Sequence, residues 1–76
     1  MKIHVKEAID YAINRSGLSK AEFYRKSGYT RQNINVTRAS NNITILKVIR
    51  ICRAADMPAS TFVKILLNGD RREQER

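Results

Sequence analysis

A short run of polar side chains is the part of this chain best suited to recognition chemistry. Residues 30–38 read TRQNINVTR, so arginine, glutamine and asparagine occupy most positions around two apolar residues. Arginine can pair with guanine through two hydrogen bonds, and glutamine or asparagine can pair with adenine in the same way, so this set fits base edges in a DNA major groove. The alternative is a solvated surface helix held in place by Ile34 alone.

Acid–base, nucleophilic and metal chemistry have few candidate residues. The chain has one histidine, His4, and one cysteine, Cys52, and its carboxylates are not clustered. We expect His4 to be solvated near the terminus. Cys52 falls at a core-like helical position and has no second cysteine with which to form an internal disulfide. We therefore expect no enzyme activity, no cofactor and no metal site.

Two capped helices joined by a tight turn are predicted around the polar run. Ser19 and Glu22 have the spacing of a capping box at the start of the first helix. Gly28 falls where that helix must stop and the backbone must turn with positive φ. Thr30 is the expected cap of the second helix, over residues 30–38. A capped helix, a glycine turn and a capped polar helix together form a helix-turn-helix arrangement.

Three further helices are predicted from the spacing of apolar residues, which gives an all-α fold of five helices. They cover residues 3–16, 45–55 and 59–68. The fourth helix, 45–55, is apolar on more than one side, which is typical of a central core helix. Its remaining face carries Lys47, Arg50 and Arg53, which we expect to be solvated; the alternative is that one of them reaches a phosphate. Pro58 suits the first turn of the fifth helix.

One domain is expected over residues 1–69, followed by a charged tail over 70–76. Hydrophobic residues make up 42% of the 76-residue chain, too many for a disordered segment. No apolar run is long enough to cross a membrane and no signal peptide is visible, so a cytoplasmic protein is expected.

The positive charge is concentrated around the polar run. The net charge is +8, and residues 15–53 hold nine lysines and arginines against a single acidic residue, Glu22. The segments on either side are each neutral. A concentrated basic surface is expected of a protein that binds the phosphate backbone of nucleic acid. An anionic membrane or an acidic protein partner could use the same charge.

The order and spacing of several short motifs resemble a known family. These are Leu18-Ser19, Gly28, Thr30-Arg31-Gln32, Ser40-Asn41-Asn42, Val48-Ile49-Arg50-Ile51 with Arg53-Ala54-Ala55, and Met57-Pro58. From Leu18 to about Leu67 the chain resembles the phage repressor and Cro type of helix-turn-helix domain, the XRE family of transcriptional regulators. This resemblance implies a five-helix repressor-like bundle with a helix-turn-helix motif. Three positions depart from that family's pattern. Its members usually have Ala where this chain has Tyr24, Leu or Ile where it has Thr37, and a glycine in the loop 39–41.

Candidate DNA contacts follow from this resemblance together with the side-chain types. Base contacts are expected from Arg31, Gln32, Asn35 and Val36, the last through a thymine methyl group. Backbone contacts are expected from Lys20, Thr30, Asn33, Arg38, Asn41 and Asn42.

The sequence therefore predicts a small transcriptional regulator, a repressor, that binds a double-stranded DNA operator sequence-specifically. The helix 30–38 would lie in the major groove, and a homodimer would bind a pseudo-palindromic site. The alternative is a protein-interaction module of the same fold, antitoxin-like or binding a toxin or a polymerase. Such a module would use its basic face or the apolar ridge Phe62–Leu67.

Overall fold

The computed structural model describes residues 2–69, which form five α-helices. Their bounds are α1 Val5–Ser16, α2 Lys20–Ser27, α3 Arg31–Ala39, α4 Ile45–Ala55 and α5 Ala59–Asn68. No strand occurs in this range, so the predicted all-α class with five helices is confirmed. The predicted charged tail, 70–76, lies outside the described residues.

The first helix is the centre of the bundle, because α1 contacts each of the other four helices. Its buried face consists of Val5, Ala8, Ile9, Ala12 and Ile13. This spacing of three and four residues produces a continuous apolar stripe along one side of a helix. The two alanines are fully buried, and their small side chains leave room for close packing by neighbouring helices.

The fourth helix buries one face only, which corrects its expected role as the central helix. Its buried residues are Val48, Ile51, Cys52, Ala54 and Ala55. Ile45, Leu46 and Ile49 are instead exposed, at 76%, 55% and 37%. Apolar composition on several sides of a helix therefore did not mean burial on several sides.

The start of α1 also differs from the prediction, since the helix begins at Val5 and not at residue 3. The backbone N–H of Ile3 donates to Oδ1 of Asn41 at 2.7 Å. The N–H of His4 donates to the carbonyl of Leu66 at 2.8 Å. These tertiary hydrogen bonds attach the segment to the loop before α4 and to the end of α5.

Most predicted helix ends are confirmed by their hydrogen bonds. The side chains of Ser19, Thr30 and Thr44 each accept a hydrogen bond from the backbone N–H three residues later, and Ser19 forms the full capping box with Glu22. Pro58 occupies the N-cap of α5 and not its first turn.

Cys52 packs in the core, as predicted. Its side chain is only 4% exposed, and burial raises the pKa of the thiol. The surrounding core includes the fully buried rings of Phe23 and Phe62. Within residues 2–69, none of the helices has the length and apolarity that crossing a bilayer requires.

Candidate nucleic-acid interface

The third helix separates its anchoring residues cleanly from its exposed residues. Ile34 is fully buried and Thr37 is 5% exposed, and these two side chains attach α3 to the core. The exposed residues are Arg31, Gln32, Asn33, Asn35, Val36 and Ala39. Val36 is 64% exposed although it is apolar. A nine-residue helix with so small a buried face needs contacts at its ends to stay in place.

The start of α3 is set by the turn before it and by its cap. Gly28 closes α2 with φ of +84°, a backbone conformation that costs other residues free energy. Thr30 Oγ1 then accepts the backbone N–H of Asn33 at 3.1 Å. Arg31 and Gln32 therefore occupy the first exposed positions of a helix whose entry is well defined.

The middle of α3 is held by a side chain from α4. The Cα atoms of α3 and α4 stay more than 8 Å apart, and Lys47 bridges the gap. Its Nζ donates to Asn33 Oδ1 at 2.8 Å and to Thr37 Oγ1 at 2.9 Å. The same ammonium lies 5.1 Å from the centroid of the Tyr29 ring. Lys47 is thus half-buried and engaged, which corrects the expectation that it is solvated.

A second cation lies over the ring of Tyr29. Arg50 Cζ lies 5.6 Å from the ring centroid. Attraction between a cation and the ring face stabilises such an arrangement. Two basic residues of α4 therefore flank the turn that leads into α3, although Arg50 remains exposed, as predicted. Arg53 is exposed.

The end of α3 is fixed to α1 by Arg38. Its Nε donates to Asp10 Oδ1 at 2.8 Å, and its Nη2 donates to Oδ2 at 3.0 Å. These hydrogen bonds from Arg38 to the carboxylate raise the pKa of the guanidinium. A DNA phosphate would therefore have to be met by the N–H groups of Arg38 that Asp10 does not use.

The other expected backbone contacts lie in two places. Lys20 is exposed at the first position of α2. In the loop, Asn41 Oδ1 accepts from Ile3, while the N–H of Asn42 donates to Ser40 Oγ at 3.3 Å. The side chain of Asn42 is exposed.

The structure brings the four expected base-contacting residues together. One open surface is lined by Thr30, Arg31, Gln32, Asn35, Val36 and Ala39. Asn33 lies beside it, in a cleft that it shares with Gln32 and Lys47. Arg38 and Asn41 instead border a separate depression next to the N-terminal segment.

Three residues of this site were missed by the sequence reasoning: Asp10, Tyr29 and Lys47. Each acts through a contact with a residue from another element or across a turn. The recurrence of Lys47, Arg50 and Arg53 along α4 indicated a basic face, but local spacing does not show which helix that face meets.

No protein-family model, curated protein or solved structure matches this chain. What the site can do is therefore inferred from its own side chains and their geometry.

Proposed function

We propose that this protein is a sequence-specific DNA-binding regulator of transcription, acting as a repressor. In this proposal α2, the Gly28 turn and α3 form a helix-turn-helix, and α3 lies in the major groove. One observation carries it: Arg31, Gln32, Asn35 and Val36 share an exposed surface of a helix that is anchored on its opposite face.

These side chains suit direct reading of bases. Arg31 would donate two hydrogen bonds to guanine, and Gln32 would exchange a donor and an acceptor with adenine. Asn35 supplies a further amide, and the exposed methyl groups of Val36 would contact a thymine methyl. This contact would explain why an apolar side chain, Val36, is exposed in the middle of a polar helix.

Contacts to the phosphate backbone would fix the register. Lys20, Asn33, Asn42 and the hydroxyl of Thr30 are exposed and can donate to phosphate oxygens. Arg38 would contribute from the far side through the N–H groups that Asp10 does not use, and Asn41 is the candidate contact from the neighbouring loop. The net charge of +8 would attract DNA from a distance and make affinity salt-dependent.

A homodimer is part of this proposal, since paired half-sites match a two-fold symmetric protein. The side chains that support it are on α5. Val63 and Leu67 are four residues apart and are 42% and 51% exposed. Phe62 and Leu66, in the same ridge, are buried and hold α5 to the core.

Selection from a random-sequence duplex library, followed by titration of the enriched sequence at two salt concentrations, tests the proposal. We expect a two-fold symmetric motif bound well above random DNA. Arg31→Ala should cost about 1–3 kcal/mol and relax preference at one base pair of each half-site. Lys20→Ala should weaken binding to all sequences alike and reduce the salt slope by about one.

Lys64→Ala is the control for lost charge. Lys64 is exposed on α5, and α5 makes no close backbone contact with α3. Weak, uniformly salt-sensitive binding with no motif would overturn the proposal and favour the protein-interaction module. In that case Val63→Ser or Leu67→Ser should abolish partner capture, while Arg31→Ala and Gln32→Ala leave it intact.

A further inference from the structure

Lys47 has an environment that differs from that of the other basic residues near α3. Its ammonium donates to two neutral oxygens, Oδ1 of Asn33 and Oγ1 of Thr37, and lies over the ring of Tyr29. An ammonium has three donors and no acceptor. Two hydrogen bonds and a ring face therefore surround this cation, and no carboxylate of residues 2–69 forms an ion pair with it.

The polarity of this network can be assigned from donor and acceptor capacity. Thr37 Oγ1 also lies 2.9 Å from the backbone carbonyl of Asn33, which can only accept, so the single hydroxyl proton goes there. The Thr37 oxygen is then left to accept from Lys47. The ammonium can only donate, so the Asn33 side chain must face it with its oxygen and not with its NH₂ group.

The orientation of the Asn33 amide is thereby fixed. Its NH₂ group is the end turned away from Lys47, and Asn33 is exposed beside Gln32 in the cleft between α3 and α4. An asparagine that reads adenine must present its oxygen and its NH₂ together to the base edge. With its oxygen held towards Lys47, the group that Asn33 presents away from α4 is its NH₂, which can only donate.

We propose that Lys47 is a positioning residue that makes Asn33 a hydrogen-bond donor towards DNA. This inference rests on the proposed function and assigns its ligand chemistry at one position. The group that Asn33 meets is one that only accepts: a phosphate oxygen, or O6 and N7 of guanine. Lys47 acts through Asn33 and does not itself touch the DNA.

A double-mutant cycle tests the coupling. Lys47→Met keeps the aliphatic stem and removes the donor, and Asn33→Ala removes the amide. On the selected operator we expect Asn33→Ala to weaken binding about tenfold in the wild-type background and less than about twofold in the Lys47→Met background. Equal factors in both backgrounds would overturn the inference, because Lys47 would then act independently of Asn33.

Lys64→Met is the matched control, since it removes the same charge from an exposed residue of α5, a helix whose Cα atoms all lie more than 8 Å from those of α3. In that background Asn33→Ala should retain its full tenfold effect. Circular dichroism and thermal unfolding establish that each variant folds, and Lys47→Ala, which also lacks a donor, replaces Lys47→Met if the latter does not.

The two possible acceptors give different binding profiles. If Asn33 donates to a phosphate, Asn33→Ala lowers affinity equally for all duplexes and leaves base preference unchanged. If it donates to guanine, preference is lost at one position, and Lys47→Met allows adenine there because the amide can turn. Either profile supports the inference when the cycle is non-additive.

A measurement without DNA separates failure of the inference from failure of the proposed function. In two-dimensional ¹H–¹⁵N spectra, Lys47→Met should shift the side-chain NH₂ signals of Asn33 and leave those of Asn35 in place. Unchanged Asn33 signals would overturn the inference even if the wild-type protein binds an operator. A wild-type protein that prefers no sequence would overturn the proposed function and the DNA role of Asn33, whether or not the Lys47 contact is seen.

Discussion

Arg38 and Asp10 form an ion pair through two parallel hydrogen bonds, Nε to Oδ1 at 2.8 Å and Nη2 to Oδ2 at 3.0 Å. The residues are 28 positions apart in the sequence. The pair attaches the last turn of α3 to α1, the helix that contacts all the others. Together with Thr30 at the start and Lys47 in the middle, it holds α3 along its whole length.

We expect the Arg38–Asp10 pair to contribute about 0.5–1 kcal/mol of coupling to the free energy of unfolding. The side chains of Arg38 and Asp10 are 28% and 41% exposed, and solvent weakens ion pairs that are this accessible. Because the pair has two parallel hydrogen bonds, we expect a coupling near the upper end of that range. Urea unfolding of Asp10→Asn, Arg38→Gln and the double variant measures the coupling. Strictly additive effects would show that the pair adds nothing.

Ile34→Ala should lower the stability of the fold and Val36→Ala should lower DNA affinity, although the two residues are only two positions apart on α3. Ile34 is fully buried, so its truncation should cost about 2–5 kcal/mol of stability. Val36 is exposed, so Val36→Ala should change stability by less than about 0.5 kcal/mol. It should weaken binding only to operators with the matching thymine. Chemical denaturation and titration of the selected operator measure the two effects; a large stability loss in Val36→Ala would contradict the assigned faces of α3.

Gly28→Ala should destabilise the fold by about 1–2 kcal/mol, because φ of +84° brings a Cβ too close to the backbone of its own chain. Crowding by neighbours is not the cause, since an added Cβ would lie 3.8 Å from Arg50 Nη1, an ordinary contact. Gly28→Asn should recover part of the loss, as asparagine tolerates this conformation. Thermal unfolding compares the three proteins, and equal stability of all three would refute the explanation.

Glu22 should make the stability of the fold depend on pH in acid. Hydrogen bonds from the backbone N–H and the hydroxyl of Ser19 to the carboxylate hold the pKa of Glu22 below its usual value. A lowered folded-state pKa stabilises the fold above the unfolded-state pKa, about 4.3, and that contribution is lost as pH falls through the folded-state value. As the pH falls from 7 to 3, the free energy of unfolding should therefore decrease less for Glu22→Gln than for the wild type. Identical losses, measured by urea unfolding, would contradict the capping role.

Much of the fold could be predicted because its signals are local. Ser19, Thr30 and Thr44 cap helices through hydrogen bonds that span three residues, and Gly28 turns the chain through its own φ angle. Each of these depends on neighbours in the sequence, so residue type and spacing were enough.

What could not be predicted depends on distant partners. The backbone N–H of Ile3 donates to the side chain of Asn41, 38 residues away, and α1 begins at Val5 and not at the predicted residue 3. Lys47 reaches Asn33 across 14 residues, and spacing within α4 could not reveal it. The exposed face of α3 was predicted from residue type together with the family resemblance, whereas the orientation of Asn33 required knowing where α4 lies.

The buried thiol of Cys52 makes transient opening of the core measurable by chemical labelling. A thiol-specific reagent cannot reach it in the folded state, and its raised pKa keeps it in the unreactive protonated form. Labelling must therefore wait for the helices around it to separate, so its rate reports how often the core opens. Because the chain has a single cysteine, one mass increment counts one event per molecule. If operator DNA slows this labelling, the delay measures how far occupation of the α3 surface is transmitted to the core.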